Sequence, residues 1–267
     1  MACFISRLSA GVSAVAAAQL RGAQYLAAVL GTTLFLSVQP NRWRRTTRKA
    51  FARQLLLIGV DSIRFVLVVA FLVGISIVVQ LSIWTGKLGQ SEKLGQLLVA
   101  VVARELGPLF ANFVLIVCGG SAIATELGLM KVGGEVRVLD AQGIDPLTYL
   151  VMPRVLAMAV SAFCLTVIFV MAAFASGFGF GAVIGAANAD PTVFINSVSK
   201  AINPFDGIGM LAKCILPALL TAAICCTEGL SIAGGVTEVP LAARRALARS
   251  LGFLFLTSAM VSVLTYY

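Results

Sequence analysis

The 267-residue chain is 60% hydrophobic, carries a formal net charge of +9 and has a mean hydropathy of +1.00, well above the roughly 45–50% apolar usage of soluble domains. That composition excludes an ordinary soluble domain and points to several membrane-spanning helices. The absence of histidine and of any G-x-x-x-x-G-K-[ST] run excludes histidine-based nucleophile pairs and a phosphate loop of its own.

The elements follow from the N-terminus. Gly22 to Val38 is an apolar stretch of 17 residues, at the lower limit of what crosses ~30 Å of hydrocarbon, and reads as an interfacial or re-entrant helix ended by Pro40. NRWRRTTRKAFAR then places Arg42, Arg44, Arg45, Arg48, Lys49 and Arg53 together without an acid, a cytoplasmic marker with Trp43 as an interface anchor. Residues 1–53 therefore form an N-terminal interfacial and basic segment, and 54–267 the membrane domain. A first span is predicted from Ile63 to Trp84 and a short outer loop from Gly86 to Lys93. In the next apolar region, RELGP at Arg104–Pro108 predicts a break, with a second span from Leu109 to Met130. A third span runs from Val151 to Ala187, and an outer loop carries the turn signals Asp190-Pro191 and Asn203-Pro204. A fourth runs from Ile208 to Ile232, and a fifth from Ala248 to Tyr267.

Charge orients this five-span scheme. The proposed inner segments hold those six bases with Lys131, Arg137, Arg154, Arg244, Arg245 and Arg249, whereas the outer loops hold Lys87, Lys93 and Lys200. The N-terminus is thus expected inside and the C-terminus outside. Bases at the edges of apolar runs suit anionic headgroups and topology, not nucleic acid. Cys3, Cys118, Cys164, Cys214, Cys225 and Cys226 form no C-x-x-C, and most lie inside apolar runs, so neither a disulfide framework nor a metal site is expected.

Ionisable residues at membrane depth are costly and mark candidate sites. They are Asp61 and Arg64, spaced for a local pair on one helix face, Arg104 and Glu105 at the expected break, and Glu126, Lys213 and Glu228. Gly177, Gly181 and Gly185 repeat every four residues, and Gly119 and Gly120 lie in a small-residue stretch, both patterns that let helices approach closely. Glu-Leu-Gly recurs after 21 residues, at Glu105 and Glu126, a match short enough to be coincidence.

Between spans two and three, KVGGEVRVLDAQGIDPLTYLVMPR holds three acids and three bases. Gly133-Gly134 predicts a turn, Glu135 to Gln142 about two turns of helix, Gly143 its stop, and Asp145-Pro146 the start of the next element. Such a segment is either an ordered loop or a short amphipathic helix placed to be pushed on.

RELGPLFANFVLIVCGGSAIATELGLMK, followed by GIDPLTYLVMPRVLA, resembles the MlaE permease family, membrane subunits of ABC lipid transporters associated with MCE proteins; EGLSIAGGVTEVPLAARRALARS adds a weaker match. The likeness spans roughly residues 50–265. It departs from the family pattern at Val117–Gly120, at Gly133-Gly134-Glu135 and at Leu241. The fold implied is all-α, with an N-terminal interfacial helix, five transmembrane helices and a short cytoplasmic coupling helix between spans two and three.

By the same resemblance, Glu135, Arg137, Leu139, Asp140 and Gln142, with Asp145, Pro146 and Arg154, belong to the contact with an ATPase. Gly74, Ile77 and Gln80 on the first span, with Arg104 and Glu105, belong to a lipid cavity. The implied partners are a second copy of the chain, a cytoplasmic ABC ATPase dimer, a periplasmic ring of MCE-domain proteins and a lipid, in a bacterial inner membrane. The chain itself is a non-catalytic permease with no cofactor, ATP being used by the partner subunit. An ion-coupled secondary transporter, and a membrane anchor for a periplasmic lipid-binding protein, are the alternatives.

Overall fold

A computed structural model describes residues 24, 26–37, 39, 45–87, 99–184 and 204–266. Among these residues the chain is helical with no strand. The expected loops at 86–93 and 188–207 lie wholly or largely outside the described residues, as do Arg42, Trp43, Arg44, the Asp190-Pro191 turn and Gly185.

Among the described residues, Leu26–Ser37 forms a shorter apolar helix, α1. Helix α2 (Arg45–Leu55) passes through a π-helical turn at Leu56–Val60 into α3 (Asp61–Lys87). Arg45 to Arg53 of the basic segment therefore belong to one helical run that continues past residue 54 into the first span. Thr47 and Gln54 face inward while Arg45, Arg48, Lys49 and Arg53 are exposed, a polarity that suits the headgroup layer.

The second candidate span, Val99–Val132, corrects the expected break at RELGP. It consists of a π-helical stretch Val99–Leu106, α4 (Gly107–Leu115), a π-helical turn Ile116–Gly120 and α5 (Ser121–Val132). Pro108 sits in the first turn of α4, where a missing N–H and a fixed φ are tolerated. Helix α6 (Glu135–Ala141) follows; then a π-helical turn Leu147–Val151 leads into α7 (Met152–Ile184). Helix α8 is Pro204–Leu230, and a 3-10 turn Val236–Glu238 opens α9 (Val239–Tyr266), nine residues earlier than the sequence suggested.

Among the described residues, five helices are long and apolar enough to cross a membrane. The second span is central, touching α3, α7, α8 and α9, while α3 packs mainly on α7 and α9 mainly on α8. Val114, Leu115, Ile123, Ala124 and Leu127 of the central span are essentially buried. On the outside, α3 exposes Phe65, Val68, Phe71 and Leu72, and α9 exposes Phe255, Leu256, Met260 and Leu264. Large apolar side chains facing outward over whole helices are the signature of a lipid-solvated bundle.

Candidate functional site

Prolines in two spans organise the charged centre of the molecule. An amide at position 108 would normally bond the carbonyl of Arg104; Pro108 has none to offer. Lys213 Nζ of α8 takes that place, donating to Arg104 O at 3.1 Å and to Glu105 Oε1 at 2.5 Å. The relation is returned from the other side. Pro217 leaves the carbonyl of Lys213 without its amide, and Asn112 Nδ2 of α4 donates to Lys213 O and Cys214 O, both at 3.3 Å, besides Pro108 O at 2.9 Å. Each span thus supplies the donor that the other's proline removed.

Lys213 is 2% exposed, so its ammonium is stripped of water and its position depends on these partners. The Glu105 side chain is 42% exposed, leaving the carboxylate open on one side. Ser262 Oγ of α9 also lies 2.9 Å from Glu105 Oε1. Second, fourth and fifth spans therefore meet at one carboxylate. Nearby, Phe110 stacks on Phe169 of α7 with centroids 5.8 Å apart.

Glu126 lies 21 residues further along the same span, roughly 30 Å along a helix and so about one hydrocarbon thickness away. It pairs with Arg154 of α7 at 3.0 Å and accepts from Gln54 Nε2 of α2 at 3.0 Å. Arg154 is 5% exposed, and its Nη1 donates to Leu150 O at 2.7 Å. The two Glu-Leu-Gly pieces play parallel parts. In each the acid binds a buried cation from another span, and the glycine two residues on permits close contact, Gly107 with Val170 and Gly128 with Ile232 and Val239. At the same end of the bundle, Glu228 of α8 pairs with Arg249 and, at 3.8 Å, with Arg245 of α9.

The segment 131–154 folds as the helical alternative. Gly134 (φ +78°) starts α6 and Gly143 (φ +71°) ends it, both in the left-handed region that favours glycine. Ile144 N to Leu139 O and Gly143 N to Asp140 O, both 3.0 Å, complete a Schellman stop. Asp145 caps the next helix through Leu147 N (3.1 Å) and Thr148 Oγ1 (2.6 Å), with Pro146 following as its first residue. Glu135, Arg137, Asp140 and Gln142 are exposed, Leu139 is half-buried, and Val138 is 55% exposed. An apolar residue at the tip of a polar helix beyond the spans suits a protein contact.

The structure brings Arg104 and Glu105 to the Lys213 cluster, and Arg154 to Glu126, away from the exposed face of α6. Gly74 is buried in the α3–α7 contact, where a Cβ would overlap Ala173 and Ser176; Gly177 meets Val78 in the same contact. Ile77 is half-buried against the core and Gln80 is exposed. Gly119 accommodates Ile58, Gly120 accommodates Cys225, and Gly181 is buried. Asp61 and Arg64 are both exposed and form no ion pair among the described residues. Among the described residues no three Cys, Asp or Glu gather as metal ligands.

A family model described as permease MlaE matches residues 51–264, which include all three ion-pair clusters, α6 and the long helices apart from the first turns of the first and the last residues of the fifth. The chain belongs to the MlaE permease family. It is 29% identical over 222 residues to a probable ABC transporter permease protein of Synechocystis sp., covering 83% of this chain and 84% of that protein. It is 28% identical over 225 residues to the chloroplastic protein TRIGALACTOSYLDIACYLGLYCEROL 1 of Arabidopsis thaliana, covering 82% of this chain and 61% of that one. The intermembrane phospholipid transport system permease protein MlaE of Haemophilus influenzae is 29% identical over 133 residues, covering 50% of this chain and 49% of that protein. This MlaE-family chain is a multi-pass membrane permease.

Two residues with the strongest claim on the Glu105 cluster were not in the cavity set read from sequence. Lys213 stood out only as a cation in an apolar run, and Asn112 carried no signal beyond lying four residues after a proline.

Proposed function

We propose that this permease moves phospholipid between two membranes, driven by a separate ATPase that docks on α6. The observation carrying the proposal is the pairing of a rigid helix beyond the spans, α6, with a half-open carboxylate site at the opposite end of the same central span. Force applied at α6 reaches that span through α5, which leads into it directly, and through the Arg154–Glu126 pair to α7. The Glu105 carboxylate and its Lys213 partner supply polar contacts for a headgroup, and neighbouring apolar surface suits acyl chains. A second copy of the chain would close the cavity across the exposed apolar faces of α3 and α9. An ATPase-driven change between two cavity shapes of different lipid affinity gives the step its direction.

On this reading the chain needs no cofactor, and ATP is hydrolysed by the partner. The relatives named as ABC transporter and phospholipid transport permeases support the lipid and ATPase assignments, and the family resemblance supports an MCE-domain protein on the far side. Arg45, Arg48, Lys49, Arg53, Lys131, Arg137, Arg244, Arg245 and Arg249 lie at the α6 end of the bundle, supporting a cytoplasmic α6 in an inner membrane with the C-terminus periplasmic.

The test is purification of the tagged chain from detergent-solubilised native membranes, with mass spectrometry of proteins and extractable lipid. An ATPase, an MCE protein and bound phospholipid are expected together. Recovery of the chain alone and free of lipid would overturn the proposal.

A further inference from the structure

A second charged groove lies at the α6 end, apart from the Glu105–Lys213 cluster. It encloses about 470 Å³ between the end of α5, the start of α6 and the connection from α8 to α9, within the size range of small-ligand sites. Its wall has two chemistries. Val132, Leu230 and Ile232 are apolar, while Lys131 and Arg137 bring two cations and no acid lines the space. Neither cation forms an ion pair among the described residues. The amides of Ile232 and Ala233 have no hydrogen-bond acceptor there either. Glu238, the nearest acid along the connection, is turned to the Gly234 amide at 3.3 Å.

The depth of the groove decides among ligands. Lys131 and Val132 end the second span and Leu230 ends the fourth; the other lining residues lie within five positions of those ends. That is the headgroup level, where basic pockets between spans take anionic lipid headgroups. A purely aqueous docking surface would not require the apolar floor, and a neutral lipid would leave two cations without a counter-charge.

We propose that this groove binds the phosphate of an anionic phospholipid from the α6-side leaflet, at a site separate from the transported lipid. Lys131 and Arg137 would hold the phosphate, the free amides would add donors, and Val132, Leu230 and Ile232 would accommodate the start of the acyl chains. Because the groove includes the root of α6, an occupied site would steady α6 against α8 and make permease activity sensitive to leaflet charge.

The experiment uses the purified full chain in neutral detergent, with native mass spectrometry of retained lipid. The probes are dioleoyl phosphatidylglycerol, dioleoyl phosphatidylcholine with the same chains, and inorganic phosphate. Retention of phosphatidylglycerol over phosphatidylcholine is expected. The double variant Lys131→Gln/Arg137→Gln should weaken it about 30-fold, since each base near the surface contributes about fivefold. Lys131→Arg/Arg137→Lys should restore most of it, and Arg48→Gln/Lys49→Gln on α2 should leave it unchanged, which separates the groove from general surface charge. Equal retention of the two lipids, or equal loss in the α2 variant, would overturn the proposal. So would phosphate binding that depends on the two residues without lipid retention, which would assign the groove to soluble phosphates. Loss of a co-purifying protein with lipid binding intact would make it a protein contact instead.

Discussion

The two acids of the central span sit in matching sequences and do different work. At Glu105 the cation answers a backbone defect, because Lys213 fills the bond that Pro108 removed. At Glu126 the helix has no such gap, and the carboxylate joins side chains from three helices, accepting from Gln54 of α2 and pairing with Arg154 of α7, which also bonds Leu150 O. A polar cluster that completes the backbone is harder to replace than one that links side chains, since an orphaned carbonyl in a dry bundle has no water to turn to.

Lys213→Met should therefore be the most damaging substitution, costing about 3–5 kcal/mol by removing the donor to Arg104 O and the cation paired with Glu105. Unfolding of the purified protein in an SDS titration measures it. Arg154→Met should cost about 2–3 kcal/mol in the same assay: both glutamates are part-exposed and regain water, Glu126 keeps its bond from Gln54, and no proline-gapped carbonyl depends on Arg154. An equal or larger loss at Arg154 would erase the distinction between the ends.

Gly74→Val, which forces a side chain into the α7 backbone, should cost about 1–3 kcal/mol, showing that this position packs helices. Asn112→Leu should cost about 1–2 kcal/mol, but much less in a Pro217→Ala background, where the restored amide serves Lys213 O. Additive costs in that double-mutant cycle would break the account of reciprocal proline repair. Arg249→Gln should cost about 1 kcal/mol or less, since Arg249 is itself exposed and Arg245, 3.8 Å from the buried Glu228, remains to pair with it.

Apolar run length, proline and glycine positions and the distribution of bases made five spans legible, along with the α6 start and stop at Gly134 and Gly143. The same local rules misjudged RELGP. A proline beside a glycine reads as a break, yet a π-helical stretch before it and a donor from another helix let the span continue. Arg104 and Glu105 were visible as expensive charges, but their partner was not, because Lys213 is 108 positions from Glu105.

What the sequence by itself determined is the solvent of this protein and the order of its helices, since both follow from short-range pattern: hydropathy over about 20 residues and caps within a turn. Only the tertiary structure decided that Lys213 meets Arg104 O, that Asn112 meets Lys213 O, and that Gly74 packs against Ala173 and Ser176 of α7. Those outcomes depend on which faces of distant helices come within about 3 Å, a long-range choice that local spacing does not encode.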